Sequence, residues 1–219
     1  MSRKSPIARL GLMLAMIAAL AVGVAACGSD DSDSSSSSST EPLAKIDALT
    51  GDATTVALDP GFLDALTSLK VTPGVVGDAS LEGTDISFPI TGGSVTYYDP
   101  ASDVRPYVQG ILNHDGSGLS LTAGDTMVEL TDFVIDPGTS ELMGTVSVNG
   151  KEAATDAVLF DLDGSTLQPL KSNPDKSATL EGTTVLLSAD AAGLLNDTFG
   201  IKDLKGGLPI GISSITVAG

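Results

Sequence analysis

His114 is the residue of this sequence with the widest range of possible chemistry. It lies in the run from Asn113 to Gly118, directly before Asp115, whose carboxylate could orient its ring. Imidazole titrates near neutral pH, so His114 could serve as a general base or as a metal ligand. The sequence has no second His and no Ser in a nucleophile-elbow setting. The surrounding Asn, Asp and Gly favour an exposed histidine at a hairpin tip, and we predict no catalytic site.

The three tyrosines form a second group, in a sequence whose aromatic content is only 4%. Tyr97, Tyr98 and Tyr107 flank Asp99-Pro100 and Arg105-Pro106. Tyrosine combines a large apolar ring with a hydroxyl group and is frequent in ligand pockets and at interfaces. We therefore predict that these tyrosines contribute to ligand binding, with packing against neighbouring strands as the alternative.

One acidic run resembles the start of a calcium-binding loop. It extends from Asp161 to Thr166 and places Asp161 and Asp163 before Gly164. An EF-hand loop also needs a third Asx residue before the glycine and a carboxylate at its twelfth position, which here is Ser172. A turn with charged flanks is the favoured interpretation.

The sequence contains a single Cys, which excludes an internal disulfide and a Cys-based zinc site. We therefore predict no metal site.

The net charge restricts the class of partner. The formal charge of the whole sequence is −17. Three of its 11 Lys and Arg residues, namely Arg3, Lys4 and Arg9, fall within the first 26 positions. The remaining sequence has 8 Lys and Arg against 28 Asp and Glu, a net charge of −20. Nucleic-acid binding requires clustered cations, so nucleic acid is excluded as a partner. Cations, cationic surfaces and uncharged ligands remain compatible with this charge.

Residues 1–26 have the three-part plan of a secretory signal peptide. Basic residues come first, an apolar stretch extends from Leu10 to Val24, and two alanines precede Cys27. This cleavage region resembles the lipobox of bacterial lipoproteins, which implies that Cys27 is acylated and becomes the first mature residue. A membrane-spanning anchor is the alternative, although the apolar stretch is short and no basic cluster follows it.

Residues 27–41 are predicted to form a disordered, lipid-anchored linker. This segment contains six consecutive serines and three aspartates, which cannot bury enough apolar surface to offset chain entropy. Two acyl chains on Cys27 would be sufficient for stable membrane anchoring. The sequence therefore predicts an extracytoplasmic protein that is anchored to the cell membrane through Cys27.

Residues 42–219 are predicted to form a single β-rich domain. Short segments rich in Val, Ile, Thr and Leu recur between clusters of turn-forming residues, and several of them alternate apolar with polar residues. Such alternation is typical of antiparallel strands with one buried face. The turn-forming runs are Asn113 to Gly116, Asp136 to Gly138, and Asn149-Gly150. We expect an all-β antiparallel sandwich or barrel-like domain with two short helices.

The two ends of this domain resemble one another. Each carries a Thr- and Val-rich strand, a helix N-cap residue and a short apolar helix, and each also carries an apolar-Pro-Ile strand. One nine-residue gap aligns both matches, which predicts an internal pseudo-twofold repeat with Val56 and Val185 in equivalent environments. The matched pairs are Thr54–Leu58 with Thr183–Leu187, Asp59 with Ser188, and Phe88–Ile90 with Leu208–Ile210.

The run from Tyr107 to Asn149 resembles part of the HtaA domain, a family of secreted or surface haem-binding β domains of actinobacterial type. The resemblance includes the turn that ends at Gly116 and the strand patterns after it. It implies haem ligation by a Tyr near the start of the domain, supported by a His that corresponds to His114. Alignment of Phe62 with the aromatic residue of the tyrosine motif places the ligand position at Ala65, so the family's tyrosine is absent.

Together these features predict a lipid-anchored, non-enzymatic domain of the cell envelope that has a binding or structural role. Its expected partners are the membrane, through the lipid anchor, and an envelope protein or a small molecule. No cofactor is expected under this interpretation. The alternative, implied by the HtaA resemblance, is a lipoprotein that binds or transports haem or another small ligand near His114.

Overall fold

The structure is a computed structural model that describes residues 41–219, and its secondary structure is mostly β. The described elements, in chain order, are β1 (Ala44–Ile46), β2 (Ala53–Leu58), α1 (Pro60–Leu69), β3 (Thr72–Gly77), β4 (Ser80–Glu82), β5 (Asp85–Pro89), β6 (Gly92–Tyr97), β7 (Val108–Ala123), β8 (Thr126–Asp136), β9 (Glu141–Val148), β10 (Lys151–Asp163), β11 (Lys171–Ser172), β12 (Ala178–Leu187), α2 (Ala189–Phe199) and β13 (Pro209–Val217).

All of these strands belong to one antiparallel sheet that curls around an apolar interior. The strand order is β1-β6-β7-β8-β9-β10-β12-β13-β2-β5-β4, with β3 paired to β7 and β11 paired to β12. The last strand of the chain, β13, lies between β12 and β2 and so joins the two ends of the domain. The predicted all-β, barrel-like fold with two short helices is confirmed.

Two of the three predicted turns are present where the sequence indicated. Asp136-Pro137-Gly138 begins the β8–β9 connection, and Asn149-Gly150 connects β9 to β10. Asn149 and Gly150 both have positive φ angles, of 51° and 74°, as a tight two-residue hairpin requires.

The predicted hairpin turn at Asn113–Gly116 is wrong. These residues lie inside the 16-residue strand β7, which pairs with β6 through its first half and with β3 through its second half. The register with β8 shifts between His114 and Gly118, and Gly116 has a φ of 74°. A β-bulge uses the same positive-φ glycine as a turn, and here it bends one strand instead of ending it.

Both helices begin at the N-cap residues that the local sequence indicates. The Asp59 carboxylate accepts hydrogen bonds from the amides of Gly61 and Phe62, and the Ser188 hydroxyl accepts one from the Ala191 amide. The left-handed residues Lys70 and Gly200 end α1 and α2. Both helices pack apolar side chains against the sheet, namely Phe62 and Leu66 of α1 and Ala191, Ala192 and Leu195 of α2.

The two halves of the proposed repeat share their strand–cap–helix units but differ beyond them. Val56 and Val185 are both buried, and both lie on strands that pair with β13. The register of the following strand differs, since Pro89 lies opposite Ala53 whereas Pro209 lies opposite Leu186. The pseudo-twofold relationship of the two halves therefore stays a prediction.

The predictions for the start of the chain lie outside the described residues. These are the signal peptide, Cys27 and the linker up to residue 40. Within residues 41–219, neither helix is long and apolar enough to cross a membrane.

Gly211 provides a test of how tightly β13 and β2 pack. A methyl group at this position would lie 2.2 Å from the Ala57 carbonyl oxygen, whereas Gly193 on α2 has no neighbouring atom within 4 Å of such a group. We expect Gly211→Ala to lower the free energy of unfolding by about 1–3 kcal/mol. Gly193→Ala should raise it by about 1 kcal/mol through helix propensity. Urea denaturation measures both, and equal stability of Gly211→Ala and the wild type would contradict the close approach.

Candidate functional site

The inner face of the curled sheet encloses a cavity of about 230 Å³. Strands from both ends of the chain form its wall, because alternate residues of each strand face inwards. The wall is mainly aliphatic, and its central residues are Val56, Val95, Leu112, Ile135, Leu162, Leu180, Val185 and Ile215.

The cavity has a buried floor and a solvent-exposed mouth. We define the floor as Thr54, Phe88, His114, Phe133 and Phe160, all of which are buried. The three phenylalanines are in edge-to-face contact, with ring centroids 5.2 Å apart for Phe88 and Phe133 and 6.3 Å apart for Phe133 and Phe160. We define the mouth as Lys45, Pro106, Tyr107, Ser140 and Gly164, which are exposed or half-buried.

His114 lies in the floor and is only 1% exposed, so the prediction of an exposed histidine is wrong. Its Nδ1 lies 3.2 Å from the Phe133 carbonyl oxygen, and its Nε2 lies 2.8 Å from Thr54 Oγ1. A carbonyl can only accept a hydrogen bond, so in the neutral ring Nδ1–H donates to Phe133 and Nε2 accepts from the Thr54 hydroxyl. His114 follows Leu112 on the inward face of β7, and the strand continues beyond it through a bulge instead of ending in an exposed turn.

Burial lowers the pKa of His114 below its ordinary value of 6.5. The hydrogen bond to the Phe133 carbonyl and the charge of Asp115 act in the opposite direction, but desolvation is the largest of the three effects. The ring is therefore neutral at pH 7, which agrees with the accepting role of Nε2.

Asp115 does not orient the His114 ring. Its carboxylate accepts a hydrogen bond from the Thr91 hydroxyl at 3.1 Å, and its amide donates to the same hydroxyl oxygen at 3.0 Å. Asp115 is exposed whereas His114 is buried, as expected for neighbours on opposite faces of a strand. The acid–base pair that the sequence suggested is therefore separated.

Two of the three tyrosines line the cavity. Tyr97 is buried, Tyr107 is half-buried, and their rings meet edge to face with centroids 5.9 Å apart. Burial raises the pKa of the Tyr107 phenol, so its hydroxyl remains protonated near neutral pH. Tyr98 follows the end of β6, where its amide donates to the Tyr107 carbonyl, and it is not part of the cavity wall. Ligand binding by the tyrosines stays a prediction.

The tyrosines and His114 lie at two well-separated levels of the cavity. Tyr97 pairs with Val108 on β7, and His114 lies six residues further along the same strand. At about 3.3 Å per residue, this separation is roughly 20 Å. The two groups therefore cannot contact the same atom of a ligand.

The acidic run of β10 forms the predicted turn. The Asp163 carboxylate accepts a hydrogen bond from the Ser165 amide at 2.8 Å, which is the local bond of an Asx turn. Leu162 lines the cavity, whereas Asp161 and Asp163 are exposed. Within residues 41–219, no group of three or more His, Cys, Asp or Glu residues is placed to hold a metal ion.

The sequence analysis did not identify Thr54, Ser213 or Lys45 as residues of the cavity wall. Thr54 and Ser213 are buried, although nothing in their local sequence distinguishes them from other strand residues. Alternation along β2 could have indicated an inward Thr54, because Val56 and Leu58 are both apolar. The contact between Thr54 and His114 could not be deduced in this way, because the two residues lie on strands that are distant in sequence.

Comparisons with known proteins show a similarity in fold only. No protein-family profile matches this chain, and no curated protein matches it in sequence. Its structure resembles that of the C-terminal domain of HtaA from Corynebacterium glutamicum, with a TM-score of 0.53 and 14% identity over 78% of this chain and 99% of that one. It is also similar to the heme binding protein HtaB of the same organism, with a TM-score of 0.47 and 10% identity over 80% and 96% of the two chains. The fold likeness to HtaA domains that the sequence indicated is confirmed.

The ligand set that the HtaA resemblance implies does not fit this cavity. Ala65, at the expected tyrosine position, lies on α1 and is not part of the described cavity wall. The Thr54 hydroxyl engages Nε2 of His114, and Tyr97 is roughly 20 Å from His114 along β7. Neither a phenolate nor a free imidazole nitrogen is therefore presented at the floor.

The burial of His114 predicts a specific pH dependence of stability. Because its pKa is lowered on folding, the unfolded chain takes up a proton on this residue more readily than the folded chain does. The contribution of His114 to the free energy of unfolding is therefore fully present above the unfolded pKa of about 6.5. It declines as the pH falls below that value, with a slope of at most about 1.4 kcal/mol per pH unit. His114→Gln should remove this component of the slope between pH 7.5 and 5.

Urea denaturation of untagged protein across this pH range measures the effect. A second measurement does not depend on the stability of the variant. His114 is the single His of the sequence, so NMR gives one imidazole titration, which we expect to have a midpoint below that of the urea-unfolded chain. Identical midpoints in the two states would contradict the burial of His114.

Proposed function

We propose that this chain is a non-enzymatic domain of the cell envelope that binds an apolar small molecule inside its curled sheet. The observation that carries the proposal is the long cavity, whose wall is almost entirely apolar between the floor and the mouth. Ligand sites are typically concave and mainly apolar, with a few polar groups at defined positions. His114 and Thr54 at the floor and Lys45 and Tyr107 at the mouth are such groups.

Several hydrophobic residues of this cavity are incompletely buried. Leu167, Leu170, Leu180 and Ile215 line the wall and are only half-buried, although they lie on the inside of the fold. Removal of apolar surface from water contributes roughly 25 cal/mol per Å². An apolar ligand would therefore gain binding free energy by covering surface that the protein itself leaves open.

The polar groups of the floor support a binding role rather than catalysis. His114 contacts Thr54 and Phe133, and the nearest carboxylate in sequence, that of Asp115, is directed to Thr91. A histidine general base normally works on a nucleophile or water within hydrogen-bond reach. The Thr54 hydroxyl is such a group, but the Nδ1 of His114 donates to the Phe133 carbonyl and not to a carboxylate that would stabilise the protonated ring.

The envelope location rests on the start of the sequence. The signal-like residues 1–26, the lipobox-like site at Cys27 and the Ser- and Asp-rich linker together support export and acylation. An anchored domain with an apolar cavity would work close to a membrane, where apolar ligands are concentrated.

A matched pair of tryptophan substitutions on β13 tests ligand binding in the cavity. Ile215 lines the wall, whereas Ile212 is 46% exposed on the outer surface. The wild-type protein should bind the apolar dye N-phenyl-1-naphthylamine with a saturable rise in dye fluorescence. We expect Ile215→Trp to weaken dye binding at least about tenfold by filling the cavity, and Ile212→Trp to leave it unchanged. Equal dye binding by the two variants would contradict a site in the cavity.

Haem is the second candidate ligand, because His114 lines the cavity and the sequence resembles the HtaA domain. Addition of haem to the wild type, His114→Ala and Thr54→Val, followed through the Soret band, distinguishes the two candidates. We expect no saturable, His114-dependent shift in the wild type, because Thr54 engages Nε2 and the family's tyrosine is absent. A saturable shift that is lost in His114→Ala and strengthened in Thr54→Val would favour haem.

A further inference from the structure

We propose that the ligand is a single-chain amphiphile that places its hydrocarbon tail at the floor and an anionic head beside Lys45. This inference rests on the proposed function, because it names the chemical class of the ligand that the cavity binds. Its basis is the length, width and polarity of the cavity, together with the charge at its mouth.

The distance between the tyrosine level and the His114 level of the cavity matches a long acyl chain. The tyrosine level and the His114 level are roughly 20 Å apart along β7. An extended polypeptide advances about 3.3–3.6 Å over the three backbone bonds of each residue, or about 1.2 Å per bond. An extended hydrocarbon chain of similar bond geometry therefore needs about sixteen carbons to cover this distance.

The cavity is narrow for its length. Its volume of about 230 Å³ lies below the roughly 300–1,000 Å³ that is usual for pockets of drug-sized ligands. The wall is aliphatic through most of its length, with residues such as Leu112, Ile135 and Leu162 on facing strands. A flexible single chain can follow such a space, whereas a broad, rigid ring system requires greater width.

The floor provides no partner for a polar head. His114 donates to the Phe133 carbonyl and accepts from Thr54, so both ring nitrogens are already engaged. Across the described residues, no buried side-chain nitrogen or oxygen atom lacks a hydrogen-bond partner. A head group buried at the floor would lose its hydration without compensation, which favours the tail at this end.

The mouth supplies the complementary charge. Among the described residues that line the cavity, Lys45 alone carries a charge, whereas the sequence after residue 26 has a net charge of −20. Lys45 forms an ion pair with Asp47 at 2.6 Å, but both side chains are well exposed. Exposed pairs contribute little, so the anionic head of a ligand can compete with Asp47 for the lysine. The protonated hydroxyl of Tyr107 is a further potential hydrogen-bond donor to the head.

The net charge of the domain does not exclude such a ligand. Repulsion between an anionic head and distant carboxylates is screened over about 8 Å at physiological ionic strength. A single head group responds mainly to its nearest charges, in contrast to an anionic membrane surface or a nucleic acid. The prediction that the domain does not bind nucleic acid is therefore compatible with an anionic head at Lys45.

Displacement of the bound dye by fatty acids of increasing length tests the predicted length of the bound hydrocarbon tail. We expect affinity to rise by about threefold to fourfold for each added CH₂ group up to about sixteen carbons and then to level off, because longer chains extend beyond the mouth. Fatty acids of 8, 10, 12, 14, 16, 18 and 20 carbons, each below its micelle concentration, are sufficient. Levelling at ten carbons or fewer, or an unbroken rise to twenty, would overturn the predicted length.

Hexadecanoate and hexadecanol have the same tail length and differ in the charge of the head group, so a comparison of the two tests the position of the head. Lys45→Gln should weaken hexadecanoate binding about twofold to fivefold and leave hexadecanol binding unchanged. Lys202→Gln is the matched control, because Lys202 is exposed and does not line the cavity. An equal effect of Lys45→Gln on both ligands, or no effect on either, would overturn the assignment of the head to Lys45.

The outcomes separate this inference from the proposed function. Saturable dye binding that is blocked in Ile215→Trp, together with no displacement by hexadecanoate, would overturn the amphiphile and leave an apolar site. Absence of saturable dye binding would overturn the proposed function itself. Because the natural sequence contains no Trp, the residue introduced in the Ile212→Trp control also reports whether that variant folds.

Discussion

The architecture depends on one constraint, namely that a long antiparallel sheet with one apolar face must bury that face. Two helices of 10 and 11 residues cannot cover a sheet of this size, so the sheet curls and packs its inner face largely against itself. Insertion of β13 between β12 and β2 connects the two ends of the domain, and glycines such as Gly211 permit the close backbone contacts that this requires. The apolar cavity results directly from this closure, because side chains from all sides of a curled sheet do not fill its centre completely.

His114 shows how a polar residue is accommodated in such an interior. Its burial is compatible with stability because Thr54 and the Phe133 carbonyl satisfy both ring nitrogens. These partners come from strands that are 60 and 19 residues away in sequence, and they fix both the tautomer and the direction of the ring. The same hydrogen bonds occupy both ring nitrogens, so neither nitrogen is free to ligate a metal in this arrangement.

The likeness to the C-terminal domain of HtaA establishes the fold of this chain alone, because a fold does not determine a ligand. The resemblance of the sequence to HtaA domains implies a tyrosine ligand, but Ala65 stands at the expected position and lies outside the described cavity wall. The aliphatic lining, with Lys45 as the charged residue among the described lining residues, is the basis of our proposal of a hydrocarbon ligand.

The fold class, the two helices with their N-caps and two of the hairpin turns could be predicted from the sequence. These features depend on local patterns: alternation along strands, Asp59 and Ser188 before the helices, and the Asn149-Gly150 pair. Three features became evident only from the packing of distant strands: Gly116 belongs to a bulge within β7, His114 is buried against Thr54, and Lys45 and Tyr107 lie at the mouth. The physical reason is that a positive-φ glycine serves a turn and a bulge equally well, whereas cavity walls are built from strands distant in sequence, whose pairing no local pattern specifies.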